Sequence, residues 1–244
     1  MKDAPEFTNA LGQPVGFPLP GWQPPPWPPS APMTGSYTRL EPLHPDRHAA
    51  TLHEATAQDV SGRLWTYLPY GPFPGLAEYR AWAEEQSRSN DPMLQAIVDL
   101  PTGRAVGVAG YLRIQPASGS IEVGHLQYSP ALQRTPPATE AIWLLLQRVF
   151  ELGYRRCEWK CDALNAPSRR AAQRLGFSFE GIFRQATVYR ARNRDTAWYS
   201  ILDREWPALD RAFRQWLDPA NFDAGGGQRL SLSSLTEPLL TSRG

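Results

Sequence analysis

Two helix starts separated by one alternating strand, all between Gln133 and Phe177, restrict this chain more than any other stretch of it. Thr135 stands where an N-cap belongs, and Pro136 and Pro137 fall in the first turn, where amides have no internal partner. Ala138, Ala141, Ile142, Leu145, Val149 and Leu152 then recur at helical spacing until Gly153, which predicts a packed helix. Arg156, Glu158, Lys160 and Asp162 alternate with Cys157, Trp159 and Cys161, which predicts a strand buried on one face. Asn165 is placed to cap a second helix with Ala171, Ala172 and Leu175 inward, and Gly176 takes the left-handed position that closes it. The order predicts a βαβαβ-like unit. Two helix N-termini after strands make a ready anion site, suited to a ligand with a pyrophosphate at one end.

At 244 residues the chain can bury one sizeable core with appendages, or two small ones. Lys+Arg 25 against Asp+Glu 24 leave a formal charge of +1, so the basic footprint of a nucleic-acid binder is absent and no such partner is expected. No apolar run approaches the about 18 residues that cross a bilayer, and the N-terminus lacks a basic-then-apolar signal pattern. No membrane partner and a cytoplasmic location are therefore expected. Cys157 and Cys161 sit four apart on the predicted strand, roughly 13 Å between Cα atoms, whereas a disulfide needs less than about 7 Å. They are expected as core thiols. The four histidines show no ligand spacing, so no metal is expected.

Met1 to Pro32 holds ten of the 25 prolines, which predicts an extended arm over residues 1–36. It is open between a partner motif and an arm whose Trp22 and Trp27 pack on its own domain or on a neighbouring subunit. Thr38–Leu43 reads as a strand and Pro45–Ala57 as a helix with His48, Leu52 and Ala55 along one side; an aromatic loop and a helix over Leu76–Gln86 follow. Strands are predicted at Leu94–Leu100 and Arg104–Ile114, joined at Thr102-Gly103. On the next, Ser120–Tyr128, Glu122, Gly124, Leu126 and Tyr128 should share one face and Ile121, Val123, His125 and Gln127 the other. A strand to Ile182, a polar excursion, a strand from Trp198 to Asp203 and a helix over Pro207–Leu217 complete a domain of residues 37–218. The Gly225–Gly227 run predicts a disordered tail over 219–244.

Gln133, Arg134 and Ala138 ahead of an apolar helix, followed by Asn165, Ser168, Ala171 and Leu175-Gly176-Phe177, resemble the GNAT N-acetyltransferases over roughly Tyr37 to Pro207. Glu180-Gly181 and Gln185-Ala186 are similar to the branch that acetylates the N-termini of ribosomal proteins. The resemblance implies an α+β (α/β) fold, with a mixed central sheet of about seven strands flanked by about four helices. It implies acetyl-CoA as co-substrate, no metal, and a primary amine as acceptor: a ribosomal or other protein N-terminus, or a small metabolite or antibiotic. A homodimer is left open. Two departures, Pro136 in place of a glycine and Thr187 in place of a glutamate, leave a non-catalytic CoA-binding or scaffolding protein as the rival.

The same resemblance implies a site. Main-chain groups of Leu126, Gln127 and Tyr128 would hold the pantetheine arm, and the turn from Gln133 would meet the diphosphate through Arg134, Thr135, Ala138 and Thr139. Asn165 matches a pantetheine contact. Ser168 matches the acid for the departing thiolate, with helix capping alone as the alternative for both. For the base, Glu122 and Tyr189 are the substitutes for the missing glutamate; an ion pair with an arginine and a surface tyrosine are their plainer explanations. Trp65, Tyr67 and Tyr70 would wall the acceptor pocket, or else lie buried under their proline-rich loop.

Overall fold

The computed structural model describes residues 7–244. A small hairpin, β1 (Phe7–Thr8) with β2 (Pro14–Val15), comes first. The main sheet contains β3 (Met33–Thr34), β4 (Thr38–Pro42), β5 (Met93–Asp99), β6 (Arg104–Gln115), β7 (Ser120–Tyr128), β8 (Arg156–Asp162), β9 (Ser178–Tyr189) and β10 (Arg192–Leu202). Across the sheet they run β3-β4-β5-β6-β7-β8-β10-β9, and every neighbouring pair is antiparallel except β7 with β8. Helices α1 (Pro45–Ala57) and α2 (Leu76–Ser87) share one core with Leu94, Ala96 and Val98. On the opposite face α3 (Pro136–Glu151), α4 (Ala166–Arg174), α5 (Trp206–Leu217) and α6 (Leu232–Thr236) cover Ile97, Tyr111, Ile121 and Trp159. Odd and even residues of β5 divide between the two cores, as a strand buried on both faces requires.

The proline arm explains its own attachment. Its carbonyls outnumber its amides, because proline has no N–H, and the domain supplies the missing donors. Arg148 donates to the carbonyls of Ala31 (2.6 Å) and Pro32 (3.0 Å), and Tyr154 Oη to that of Pro26 (3.2 Å). Trp22 lies under the Arg155 guanidinium, 5.8 Å from its ring centroid. Residues 22–34 are thus tied to their own domain through Trp22 and main-chain carbonyls, while Trp27 is exposed. The arm ends as β3, which is the strand beyond the seven expected. Directly after it the buried carboxylate of Glu140 accepts the amides of Ser36, Tyr37 and Thr38, each at 2.7 Å. A side chain at Gly35 would meet that carboxylate at 2.3 Å.

Two expectations are corrected. The tail beyond Pro219 is folded: Leu232 and Thr236 are fully buried, Asn221 Nδ2 bonds the carbonyls of Trp216 and Leu230, and the Phe179 amide donates to Ser242. The glycine run that suggested disorder is one tight turn, in which Asp223 Oδ1 accepts the amides of Gly225 and Gly227. The polar excursion is likewise a paired ribbon of β9 and β10, with two register shifts. Most of its outer half is exposed, so no apolar alternation marks it, and it turns at Arg190 and Ala191 (φ 48 and 56) without a glycine.

Candidate active site

β7 and β8 are paired only at Ser120 with Arg156, Ile121 with Cys157 and Glu122 with Glu158. Beyond that point each strand continues with no bridge to the other. A strand edge exposed inside a sheet leaves main-chain donors and acceptors in need of a partner. A bulge contributes to the splay: Gly110 faces Gly124 and Val108 faces Gln127, so His125 and Leu126 oppose Ala109 alone, and His125 takes φ 53. The extra residue also corrects the predicted alternation. Leu126 and Tyr128 pack with Ile121 and Val123 on the α3 side, while His125 and Gln127 look toward Tyr70 and Tyr79 on the other.

At the open end of the gap, the loop between β7 and α3 is tied back by Gln133 Nε2 to the Tyr128 carbonyl (2.9 Å), and Tyr128 Oη donates to the Ala138 carbonyl (3.2 Å). Thr135 caps α3, its Oγ1 lying 3.5 Å from the Ala138 amide. Thr139 departs from the expected donor set, because it is buried and its hydroxyl accepts from Arg174 (3.1 Å). Arg134 has φ 63, and its amide and that of Thr135 donate to no acceptor among the described residues. The buried Ser129 Oγ also lacks a partner, as does Gln127 Nε2 on the Tyr79 side of the sheet. At the start of α4, Asn165 Oδ1 accepts the Ser168 amide (3.1 Å), as a cap does. Ser168 Oγ accepts from Trp159 Nε1 (3.0 Å), which leaves its own hydrogen to donate.

On the other face of the sheet Trp65 is buried against Phe73, so it supports the loop rather than lining a pocket. Tyr67 Oη bonds the Leu164 carbonyl (3.2 Å), and Arg190 donates to the carbonyls of Tyr70 (2.9 Å) and Gly71 (2.6 Å). The aromatic loop is thereby clasped to the end of β8 and to the β9–β10 turn. Tyr189 Oη donates to Asp162 Oδ2 (2.9 Å); burial and then this bond raise its pKa. As an acceptor of protons it is the wrong way round. Glu122 is held by Arg113 through both oxygens (2.6 Å each) and by Lys160 (3.1 Å). The plainer explanation, an ion pair, accounts for its place. A chain of charges continues from Lys160 to Glu158 (2.6 Å), Arg156 and Glu180.

This chain of charges and the buried imidazoles make stability fall with acid. Arg156 holds Glu180 below the usual carboxylate range; burial pushes Glu158 up, but its bonds from Lys160 and Arg156 outweigh that and hold it low. Burial, and then Arg113, depress His125 to about 4, and burial depresses His48 despite its bond to Glu41. Each folded value lies below the unfolded one, so the unfolded chain takes up protons first. Stability should decline from about pH 6.5 as histidines protonate, and again below about pH 4.3 as carboxylates do. Urea unfolding stepped from pH 7 to 3.5 measures it, and His125→Asn should remove part of the upper decline.

The acetyltransferase (GNAT) domain model matches residues 38–178, more than half of the chain. The chain belongs to the GNAT acetyltransferase family. It is similar to the crystal structure of a GCN5-related N-acetyltransferase from Brucella melitensis, 45% identical over 90% of this chain and all of that one, with a TM-score of 0.88. It is similar also to that of a probable acetyltransferase of the GNAT family from Chromobacterium violaceum ATCC 12472: 42% identity, 84% of this chain, 100% of that one, TM-score 0.74. A more distant likeness, of fold alone, is to the microcin C7 self-immunity acetyltransferase MccE, crystallised with acetyl-CoA and AMP (20% identity, 69% of this chain and 93% of that one, TM-score 0.61). No curated protein matches the chain.

As a GNAT N-acetyltransferase the protein is an enzyme, and its family uses acetyl-CoA to acetylate an amine. Among the described residues no helix is long and apolar enough to cross a membrane, and no group of three or more His, Cys, Asp or Glu could hold a metal ion. The residues singled out from sequence separate into two faces of the GNAT sheet: Leu126, Tyr128, Ser168 and the Gln133 turn lie toward α3 and α4, and Tyr67, Tyr70 and Tyr189 on the side of α2 and the β9–β10 turn. Sequence reasoning missed His125 and Arg190. A lone histidine in an alternating strand carries no signal until the bulge is known, and Arg190 acts only through the fold.

Proposed function

We propose that this GNAT enzyme transfers the acetyl group of acetyl-CoA to the primary amine of a compact acceptor, with the thioester lying between the splayed halves of β7 and β8. The observation that carries the reading is the end of pairing after Glu122 and Glu158, between parallel strands that each lead into a capped helix. The residues suit the donor. Main-chain groups of Leu126, Gln127 and Tyr128 would hold the pantetheine arm, with the unpartnered Ser129 Oγ beside them. The free amides of Arg134 and Thr135 and the Arg134 guanidinium would meet the diphosphate, offsetting the two donors that Pro136 and Pro137 lack. Asn165 Nδ2 and Ser168 Oγ, at the start of the helix that follows β8, would reach the same arm, and acetyl-CoA brings the activated acyl group. Calorimetry with acetyl-CoA, followed by thiol release with a panel of amines, tests this; binding without release for any amine would support the scaffold instead.

The clasps from Tyr67 to Leu164 and from Arg190 to Tyr70 and Gly71 favour a compact amine over a chain threaded through the site. A peptide with a free N-terminus, the acceptor of the branch whose Glu180-Gly181 and Gln185-Ala186 pairs this chain carries, is the comparison. Peptide acetylated faster than every small amine would reverse the preference. For Ser168, whose hydroxyl lies beside the Cys161 thiol and would turn its hydrogen to the departing thiolate, Ser168→Ala should cut turnover at least about tenfold while acetyl-CoA affinity stays within a few-fold. Unchanged turnover would leave Ser168 as a partner of Trp159 and Cys161.

A further inference from the structure

Neither group first considered as the base is poised to take a proton: Glu122 is neutralised by two cations, and Tyr189 is a protonated phenol whose pKa is raised. Both oxygens of Glu122 are engaged by Arg113 and Lys160, and the Tyr189 hydroxyl gives its proton to Asp162. The bulge presents a third group. His125 sits where the β7 edge comes free, its left-handed backbone (φ 53) aiming the ring toward the aromatic loop. The ring stacks on Tyr70, centroids 5.7 Å apart and planes 10° from parallel, with Nδ1 3.2 Å from Tyr70 Oη. Nε2 has no partner among the described residues. A non-glycine residue at positive φ inside a strand is a strained arrangement that only its surroundings maintain, and such strain gathers at functional sites.

We propose that His125 Nε2 is the proton acceptor of acetyl transfer, with Nδ1–H donating to Tyr70 Oη and so keeping the Nε2 lone pair toward the amine. This rests on the acetyl-transfer reading above. The neutral amine forms its C–N bond to the acetyl carbonyl carbon, and its nitrogen, made acidic by that bond, gives one proton to Nε2. The C–S bond breaks, the electron pair leaves with sulfur, and sulfur takes the proton of Ser168 Oγ. The imidazolium proton restores Ser168 through solvent, so amine plus thioester gives amide plus thiol with no net charge. Arg113 and Asp91 are the charged groups beside the ring. Burial and Arg113 keep the imidazole neutral at pH 7, the form that can accept.

Two variants test it. His125→Asn keeps a residue that tolerates positive φ, and His125→Gly opens a space for a free base at a φ that glycine takes readily. Both should bind acetyl-CoA within about twofold of the parent by calorimetry, and lose turnover by about a hundredfold or more. Added imidazole should restore at least about tenfold to His125→Gly and nothing to the parent, and the restored rate should rise with the basicity of substituted imidazoles. Turnover within a few-fold of the parent in His125→Asn, or a loss in His125→Gly that imidazole does not relieve while acetyl-CoA still binds, would overturn the assignment and leave acetyl transfer standing. A parent protein that releases no thiol with any amine removes both.

Discussion

Glu140→Ala is expected to lower the unfolding free energy by about 3–5 kcal/mol, and the melting temperature by on the order of 10 °C. The carboxylate on α3 is 2% exposed and accepts three consecutive amides at 2.7 Å. Its loss strands three consecutive donors at once, of which the Thr38 amide is fully buried and out of reach of replacement by water. Hydrogen bonds to a charged acceptor are the stronger kind, and an abandoned buried donor costs more than the bond was worth. Glu140→Gln should fall between, since one oxygen still accepts while the amide nitrogen faces other donors. The same residue holds the start of β4 and the end of the arm, so its loss should also expose residues 22–34 to protease. Thermal and urea unfolding measure the effect; a change below about 1 kcal/mol would show that the strap contributes little.

Glu122→Gln should cost about 2–4 kcal/mol, because it leaves the Arg113 guanidinium facing a neutral amide and removes one of two anions from the 7%-exposed Lys160. Turnover per folded molecule should remain within about tenfold of the parent, since the carboxylate's bonds are structural. The pair of measurements separates the roles. A loss of about a thousandfold in kcat with unchanged urea midpoint would return Glu122 to the position of base and argue against His125.

Much of the frame was legible along the chain. The helix over Pro45–Ala57, the strands Ser120–Tyr128 and Arg156–Asp162 and the Thr135 and Asn165 caps all coincide with the structure, because apolar spacing and capping are local properties. Legibility failed where partners are distant. Glu122 carried no mark of Arg113 nine residues away or of Lys160 on the next strand, and Thr139 none of Arg174. The ribbon of β9 and β10 is exposed on its outer half, so burial never wrote an alternation into it. The tail failed for the opposite reason: Leu232, Thr236 and Asn221 bury themselves against α4 and α5, and a composition rich in glycine and serine hides that.

The residues by themselves determined that two capped helices follow two strands, that Cys157 and Cys161 line a core face, and that the chain shares the pattern of the GNAT acetyltransferases. Only the tertiary structure decided where β7 and β8 part, which way the chain points after the bulge, and which polar side chains are already spent on one another. The physical reason is range: spacing and caps act within a few residues, whereas a strand's register and an ion pair's partner are chosen by segments that the fold brings together.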